Sequence, residues 1–304
     1  MQLQAATRYG SHAARPLGLA VLALLTTLAL PGFPLFEDRA ASMLQLHLLL
    51  ELFAVIVALL VVGVSWYSFD HEHPNEAAIL VAGFGAVATF DLVHALTYDG
   101  MPPLLTDSST PKAIFFWLAG RTTAALTLLL VALGLQQPVP RWAWIAGSCV
   151  VTATVLWGGT YHLDRMPVTF VPGLGVTPFK TAFEYGLLAA YVLVAGLFVF
   201  RSRPERCERA HGLATACLLM GMGEVVFAHY KAPSDFQNIF GHVFKVASYA
   251  YLYRTIFVSA IREPYDTARR AEAELVRLNA ALEERVAERT AQLEKANRDL
   301  GEFS

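Results

Sequence analysis

Ionisable side chains recur in this chain at helical spacing inside long apolar runs. His47 and Glu51 stand four residues apart, Asp91 and His94 three apart, and His242 and Lys245 three apart, so each pair shares one helix face. Arg121, Glu184, Glu224 and His229 add single positions in other apolar runs. The imidazoles of His47, His94 and His242, with carboxylates nearby, are the donor types that a divalent transition metal takes, and a facing histidine pair could hold haem. Neither reading rests on a spacing signature. The same groups could carry a proton or hold a small polar ligand. The planar guanidinium of Arg121 suits a buried carboxylate such as Glu184 or Glu224, or an anionic ligand. Singly, a histidine or lysine in such a run is most often a paired or snorkelling structural group, and Asp91, near a helix end, reads as an interfacial charge. As a set, these residues exceed what gluing helices together needs. No catalytic triad or phosphate-binding loop is visible, and Gly83-Phe84-Gly85 reads as helix packing.

The elements that must position these groups follow from composition. The 304 residues are 55% hydrophobic and 16% charged, whereas soluble domains carry roughly 25% charged residues. The fold class is therefore all-α, a polytopic membrane bundle. A net charge of -2 without a long basic run argues against nucleic-acid binding. Cys149, Cys207 and Cys217 lack CxxC spacing and read as inert. Apolar runs occupy Leu17 to Leu30, Met43 to Phe69, Glu76 to Tyr98, Ala113 to Leu135, Trp142 to Gly158, Phe179 to Phe200, His211 to Tyr230 and Phe236 to Ile261. These make about eight spans, the first read as a transmembrane helix rather than a secretory signal. Turns at His73-Pro74-Asn75, Gly100 to Pro103, Gln137-Pro138, Pro172-Gly173 and Pro233 to Asp235 separate them.

With a cytoplasmic C-terminus, an even number of spans puts the N-terminus inside as well. Arg8, Arg15, Arg141, Arg201, Arg203, Arg206, Arg209 and Arg262 then lie inside, against Arg39, Lys112, Arg165 and Lys231 outside. Threading the helices in alternate directions places every ionisable residue named above in the outer third of its helix. One depth shared by six runs is what a polar pocket open to the outer face requires.

The segment from Ala268 to Ser304 is different, charged throughout with Leu275, Leu278, Leu282, Val286, Leu293 and Leu300 at helical spacing. It reads as a coiled coil that pairs with a second copy of the chain. The steps of three, four and four from Leu275 to Val286 depart from a heptad and locally unwind a left-handed supercoil, either as a device or as a tolerated irregularity. Pro264 precedes it, either as a joint or in the first turn of the following helix.

Asp91-Leu-Val-His-Ala-Leu-Thr-Tyr-Asp-Gly-Met101 resembles the third-helix motif of the MASE3 family of membrane-associated sensor domains. His47-Leu-Leu-Leu-Glu51, Phe116-Trp-Leu-Ala-Gly-Arg121, Phe183-Glu184-Tyr185 and Gly241-His-Val-Phe-Lys245 with Tyr249 fit the same family, over about Met43 to Ile261. The resemblance implies a sensory input in a bacterial inner membrane, ahead of a histidine kinase or diguanylate cyclase. The last segment resembles the linker that precedes a kinase dimerisation domain, its Phe303-Ser304 pair standing where the phosphoacceptor region begins. Three divisions are expected: 1–42 with the first span, 43–261 as sensor, and 262–304 as signalling helix. Catalysis and a response regulator belong on this reading to a parent protein, with Pro264, Leu275, Leu278, Leu282 and Val286 carrying the signal. The expected contacts of the sensor are lipid and an unknown small ligand or ion held by His47, Glu51, Asp91, His94, Arg121, Glu184, Glu224, His242 and Lys245. A haem- or metal-binding redox protein and a proton or ion carrier are the rival readings.

Overall fold

A computed structural model describes residues 2–30, 33, 40–67, 74–135, 139–202 and 207–302. The loop from Glu37 to Arg39, the acidic turn at Asp70 and Glu72, the Gln137-Pro138 turn, Arg203 and Arg206 lie outside the described residues. The chain divides into two compact units, 1–257 and 258–304.

The first unit is built from α1 (Gln2–Ala29), α2 (Ala40–Tyr67), α3 (Pro74–Leu96), α4 (Thr110–Leu133), α5 (Arg141–Tyr161), α6 (Pro178–Phe200), α7 (Cys207–Phe227) and α8 (Phe236–Phe257). Local chemistry sets several of their ends. The Ser109 side chain accepts from the Lys112 amide to start α4, and Gly134 closes it in the left-handed region at φ 60°. Thr177 caps α6 in the same way, with Pro178 in its first turn. Between α5 and α6 a short 3-10 turn, Leu163–Arg165, leads into a hairpin of β1 (Phe170–Val171) and β2 (Gly175–Val176), turned by Pro172 and Gly173.

Six helices, α2 to α7, are long and apolar enough to cross a membrane among the described residues. The two other expected spans differ in composition. In α1 the apolar part is Leu17–Ala29, nearly the run read from the sequence and short of the ~20 residues that cross a membrane, and α8 carries Gln237, Asn238, His242, Lys245 and Arg254 over its 22 residues. Length is not what sets α8 apart, since 22 helical residues reach about 33 Å.

Packing closes α2, α3, α4, α6, α7 and α8 into a ring. Each packs on its neighbours in that order, and α8 returns to α2. Outside the ring, α5 lies against α3 and α4, and α1 against α7. One end of the ring carries the 97–109, 162–177 and 228–235 connections, tied by Asn238 donating to the Tyr98 hydroxyl at 3.3 Å and Thr106 donating to the Thr160 carbonyl at 3.2 Å. At the opposite end Asn75 donates to the Leu135 carbonyl at 2.9 Å, and Arg209 pairs with Glu76. The interior towards this second end is apolar, filled by Ala58, Val61, Val87, Leu128, Val194 and Leu252 among others. Large apolar side chains on the outer surfaces of α2 and α5, such as Phe53, Ile56, Val150 and Trp157, are exposed, as a hydrocarbon surround allows.

Glycine sets how closely α3 and α4 approach. A Cβ on Gly83 would sit 2.0 Å from Thr127 Oγ1, and one on Gly120 would sit 3.1 Å from Asp91 Oδ1.

The second unit begins with a π-helical turn, Val258–Arg262, followed by α9 (Glu263–Glu302). Pro264 stands in the first turn of α9, where its missing amide hydrogen is tolerated, and the wider turn occupies the residues just before it. Leu275, Leu278, Leu282 and Val286 are each more than half exposed on this helix.

The Gly83 contact gives a direct check on the α3–α4 packing. Gly83→Ala should lower the stability of the detergent-solubilised protein by about 1–3 kcal/mol through overpacking. Adding Thr127→Ala should recover part of that loss; a double variant no more stable than Gly83→Ala alone would contradict the packing described.

Candidate functional site

The ring brings the predicted residues into one buried layer nearer the end that bears the 97–109 and 228–235 connections. His47, Glu51, Asp91, His94, Arg121, Glu184, Glu224, His242 and Lys245 are all buried. Every helix of the ring contributes at least one of them, whereas α1 and α5 contribute none.

Closest to that end lies a group of three histidines and Glu51. The Ala113 carbonyl can only accept, so His94 Nδ1 donates to it at 2.7 Å, leaving the lone pair of a neutral His94 on Nε2. His47 Nε2 faces that atom at 3.2 Å. The His47 ring packs on Tyr98 at a centroid distance of 4.0 Å and edge-on to His242 at 4.6 Å. His242 Nδ1 lies 2.8 Å from Glu51 Oε1, but the two are not aligned for a hydrogen bond. Tyr98 follows α3, and burial pushes its phenol pKa upward, which keeps the hydroxyl neutral.

Deeper in the bundle the charges form a chain. Lys245 Nζ bridges Glu51 Oε2 at 2.6 Å and Asp91 Oδ1 at 3.0 Å. Arg121 Nη2 bonds both oxygens of Asp91, at 2.9 and 3.0 Å. It also donates to the Tyr249 hydroxyl, which lies 3.4 Å from Asp91 Oδ2. The Trp117 ring faces both cations, 4.9 Å from the Arg121 guanidinium carbon and 4.7 Å from Lys245 Nζ. The sequence Glu51, Lys245, Asp91, Arg121 therefore ties α2 to α8, α8 to α3 and α3 to α4.

Two sequence expectations change here. Arg121 pairs with Asp91 rather than with Glu184 or Glu224, because Gly120 lets α4 come up against the Asp91 carboxylate. Asp91 is wholly buried, not an interfacial charge.

Glu184 and Glu224 belong to an adjoining group centred on Lys180, which sequence reasoning missed. Lys180 Nζ lies 2.5 Å from Glu184 Oε1 and donates to the Phe227 carbonyl at 2.5 Å, over the Tyr230 ring. The four-residue spacing of Lys180 and Glu184 near the start of α6 was the available signal. Glu224 interacts electrostatically with Glu184, Arg121 and Lys180, so the two groups share one field. Tyr191 donates to the Arg121 backbone carbonyl at 3.0 Å and adds a direct link from α6. His229 stays apart, exposed, with its Nδ1 on the Val225 carbonyl at 2.8 Å.

A cavity reaches two of the histidines, lined by His94, Tyr98, Trp117, Lys180, Asn238 and His242 among others. It is narrow, with room for a water or an ion and not for a haem macrocycle as the side chains stand. Chemically the layer can bind a cation through the imidazoles and Glu51, or exchange a proton among them.

The family model of MASE3, a membrane-associated sensor domain, matches residues 38–264. No curated protein and no solved structure matches the chain.

The buried ion pairs should respond differently from those near the surface. Asp91→Asn leaves Arg121 and Lys245 short of one charge in a dry site and should cost about 3–5 kcal/mol. Glu76→Gln removes the partner of the partly exposed Arg209 and should cost no more than about 1 kcal/mol. Thermal unfolding of both variants in one detergent reads the contrast, and equal losses would refute it.

Proposed function

Because this chain belongs to the MASE3 family of membrane-associated sensor domains, we propose that it is the input module of a bacterial signal-transduction protein, with a histidine kinase as its parent. In this reading the end bearing the 97–109 and 228–235 connections faces outward across the inner membrane, both termini are cytoplasmic, and α8 spans with α1 to α7. A small ligand or ion reaches the buried layer through the cavity beside His94 and His242. Catalysis belongs to the parent's kinase, which passes phosphate to a response regulator, and this chain supplies recognition and transmission.

The observation that carries the reading is the convergence of all six ring helices on one buried, charged layer. Intramembrane charges cost a few kcal/mol each on insertion scales, and a set this large is poor economy for adhesion alone. Support for transmission comes from α8, which contributes His242, Lys245 and Tyr249 to the layer and directly precedes the second unit in sequence. A ligand shifts such a system only by its differential affinity for two packings of the ring.

Output passes through a parallel homodimer of residues 268–304. Leu275, Leu278, Leu282 and Val286 leave an apolar stripe uncovered on α9, and a second copy of the same stripe is the occupant that buries it symmetrically. Pro264 and the π turn before it form the entry to this helix, and the irregular spacing of the stripe lets two core packings lie close in energy.

Cysteine cross-linking in membranes tests both halves of the proposal. In a background carrying Cys149→Ser, Cys207→Ser and Cys217→Ala, Leu282→Cys should form a disulfide-linked dimer more readily than Glu283→Cys. Alanine at Glu51, His94, Arg121, Glu184 or His242 should change that yield by about fivefold or more, the low end of allosteric couplings, with insertion unaltered. Identical yields across all five variants would end the sensory reading. Preference for Glu283→Cys would end the dimer.

A further inference from the structure

We propose that His47, Glu51, His94 and His242 bind one divalent transition metal ion of the zinc type. This names the stimulus of the sensor proposed above and depends on that reading for its consequence, while the site itself stands on geometry.

One ligand atom from each of the four residues can be chosen so that all lie within 4.8 Å of one another. In a tetrahedral site with bonds of about 2.0–2.1 Å, ligand atoms stand about 3.3 Å apart. Two separations are already close to that, 3.2 Å between His47 Nε2 and His94 Nε2, and 2.8 Å between His242 Nδ1 and Glu51 Oε1. Rotamer adjustment of a few tenths to about 1.5 Å completes the set.

The unmet valences point the same way. Glu51 Oε1 and His242 Nδ1 are buried without an aligned hydrogen bond, and such atoms are costly in a dry interior. A proton can relieve one facing pair. An ion among the four relieves both together, with His47 Nε2 and His94 Nε2 as its other ligands. His94 is already prepared as a ligand, because its Nδ1–H is committed to the Ala113 carbonyl, the backbone contact that orients metal-bound histidines.

Donor type selects the ion. Three imidazoles and one carboxylate oxygen suit zinc and its first-row neighbours, whereas magnesium and calcium require mainly oxygen.

Occupancy has a mechanical consequence. Glu51 offers Oε1 to the ion while Oε2 remains beside Lys245, whose other partner is Asp91. Drawing Glu51 toward the ion weakens its hold on Lys245 and shifts that lysine toward Asp91, which changes how α8 is held against α2 and α3.

The test uses the full chain, purified in mild detergent and stripped with a chelator. Titration with Co(II) should give the intense visible bands of a tetrahedral site, and Zn(II) should bleach them at one equivalent per chain, while excess Mg(II) should not. Glu51→Gln, His47→Gln and His94→Gln should each weaken Zn(II) binding about tenfold or more, and His229→Ala and His211→Ala should not. Should a glutamine variant unfold, Glu51→Asp, which keeps the charge but moves the oxygen, is expected to bind Zn(II) measurably more weakly at unchanged secondary structure. No stoichiometric Zn(II) binding, or binding lost with His211 or His229 instead, overturns the site. Leu282→Cys cross-linking with and without Zn(II) separates the two proposals. Altered cross-linking in the site variants without any metal binding overturns the metal and spares the sensor. Stoichiometric Zn(II) binding that leaves cross-linking unchanged supports the site and counts against its sensory use.

Discussion

A continuous chain of opposite charges, Glu51, Lys245, Asp91 and Arg121, lies buried in an otherwise apolar bundle, and the arrangement of the ring depends on it. Four ionised groups in a dry interior are tolerable only when each finds its partner at hydrogen-bonding distance. They come from four helices, α2, α8, α3 and α4, so satisfying them fixes how those helices sit side by side. Apolar packing alone would not, because lipid tails are as good a surround for leucine as another helix is. The neighbouring residues serve the same constraint: Gly120 leaves space beside Asp91, Trp117 offers its ring to both cations, and Tyr249 sets its hydroxyl beside the Asp91–Arg121 pair.

The bundle is polar near one end and apolar towards the other. Residues one to three turns further along the same helices include buried alanine, valine, leucine and isoleucine, among them Ala58 and Val61 after Glu51, Ala124 and Leu128 after Arg121, and Leu252 and Ile256 after Tyr249. This packed zone closes the ring beneath the charges, so water or an ion that enters from the 97–109 side meets a seal. A close-packed seal also transmits displacement, since its side chains have few alternative positions. The proposed sensor needs both properties, a recognition layer that a solute can reach and a stiff region between it and the opposite end.

Much of this was legible in the sequence because charge inside an apolar run is rare enough to notice and helical spacing says which residues share a face. The predicted site residues are buried in adjoining groups, and those of α2, α3, α4 and α8 meet directly. Partner choice was not legible. Arg121 meets Asp91 because of where α4 crosses α3, a tertiary fact that spacing within one helix does not contain. Lys180 was overlooked because it stands at the start of α6, where a lysine reads as a snorkelling end group, yet it turns inward to Glu184 and the Phe227 carbonyl. The peripheral places of α1 and α5 were equally hidden, since α5 is long and apolar enough to cross a membrane as most ring helices are. The weakly apolar α8 shows the opposite case: Asn238, His242 and Lys245 make it more polar, and they lie at the cavity or in the buried layer.

The two cations of the buried chain are not equivalent, and the difference has a direction. Arg121 holds both oxygens of Asp91 and is itself braced by Tyr249, Trp117 and the Tyr191 contact to its backbone, so the α3–α4 side is over-determined. Lys245 is a point charge on a flexible stem, placed between Glu51 at 2.6 Å and Asp91 at 3.0 Å. A lysine so placed can change allegiance by a small movement without ever losing a carboxylate, whereas Arg121 is paired with Asp91 alone. Any event that alters the charge or position of Glu51, whether a proton or a cation at the neighbouring histidines, therefore acts on the adjustable half of the chain. That half belongs to α8 and α2, and α8 is the helix after which the chain continues into Val258–Arg262 and α9.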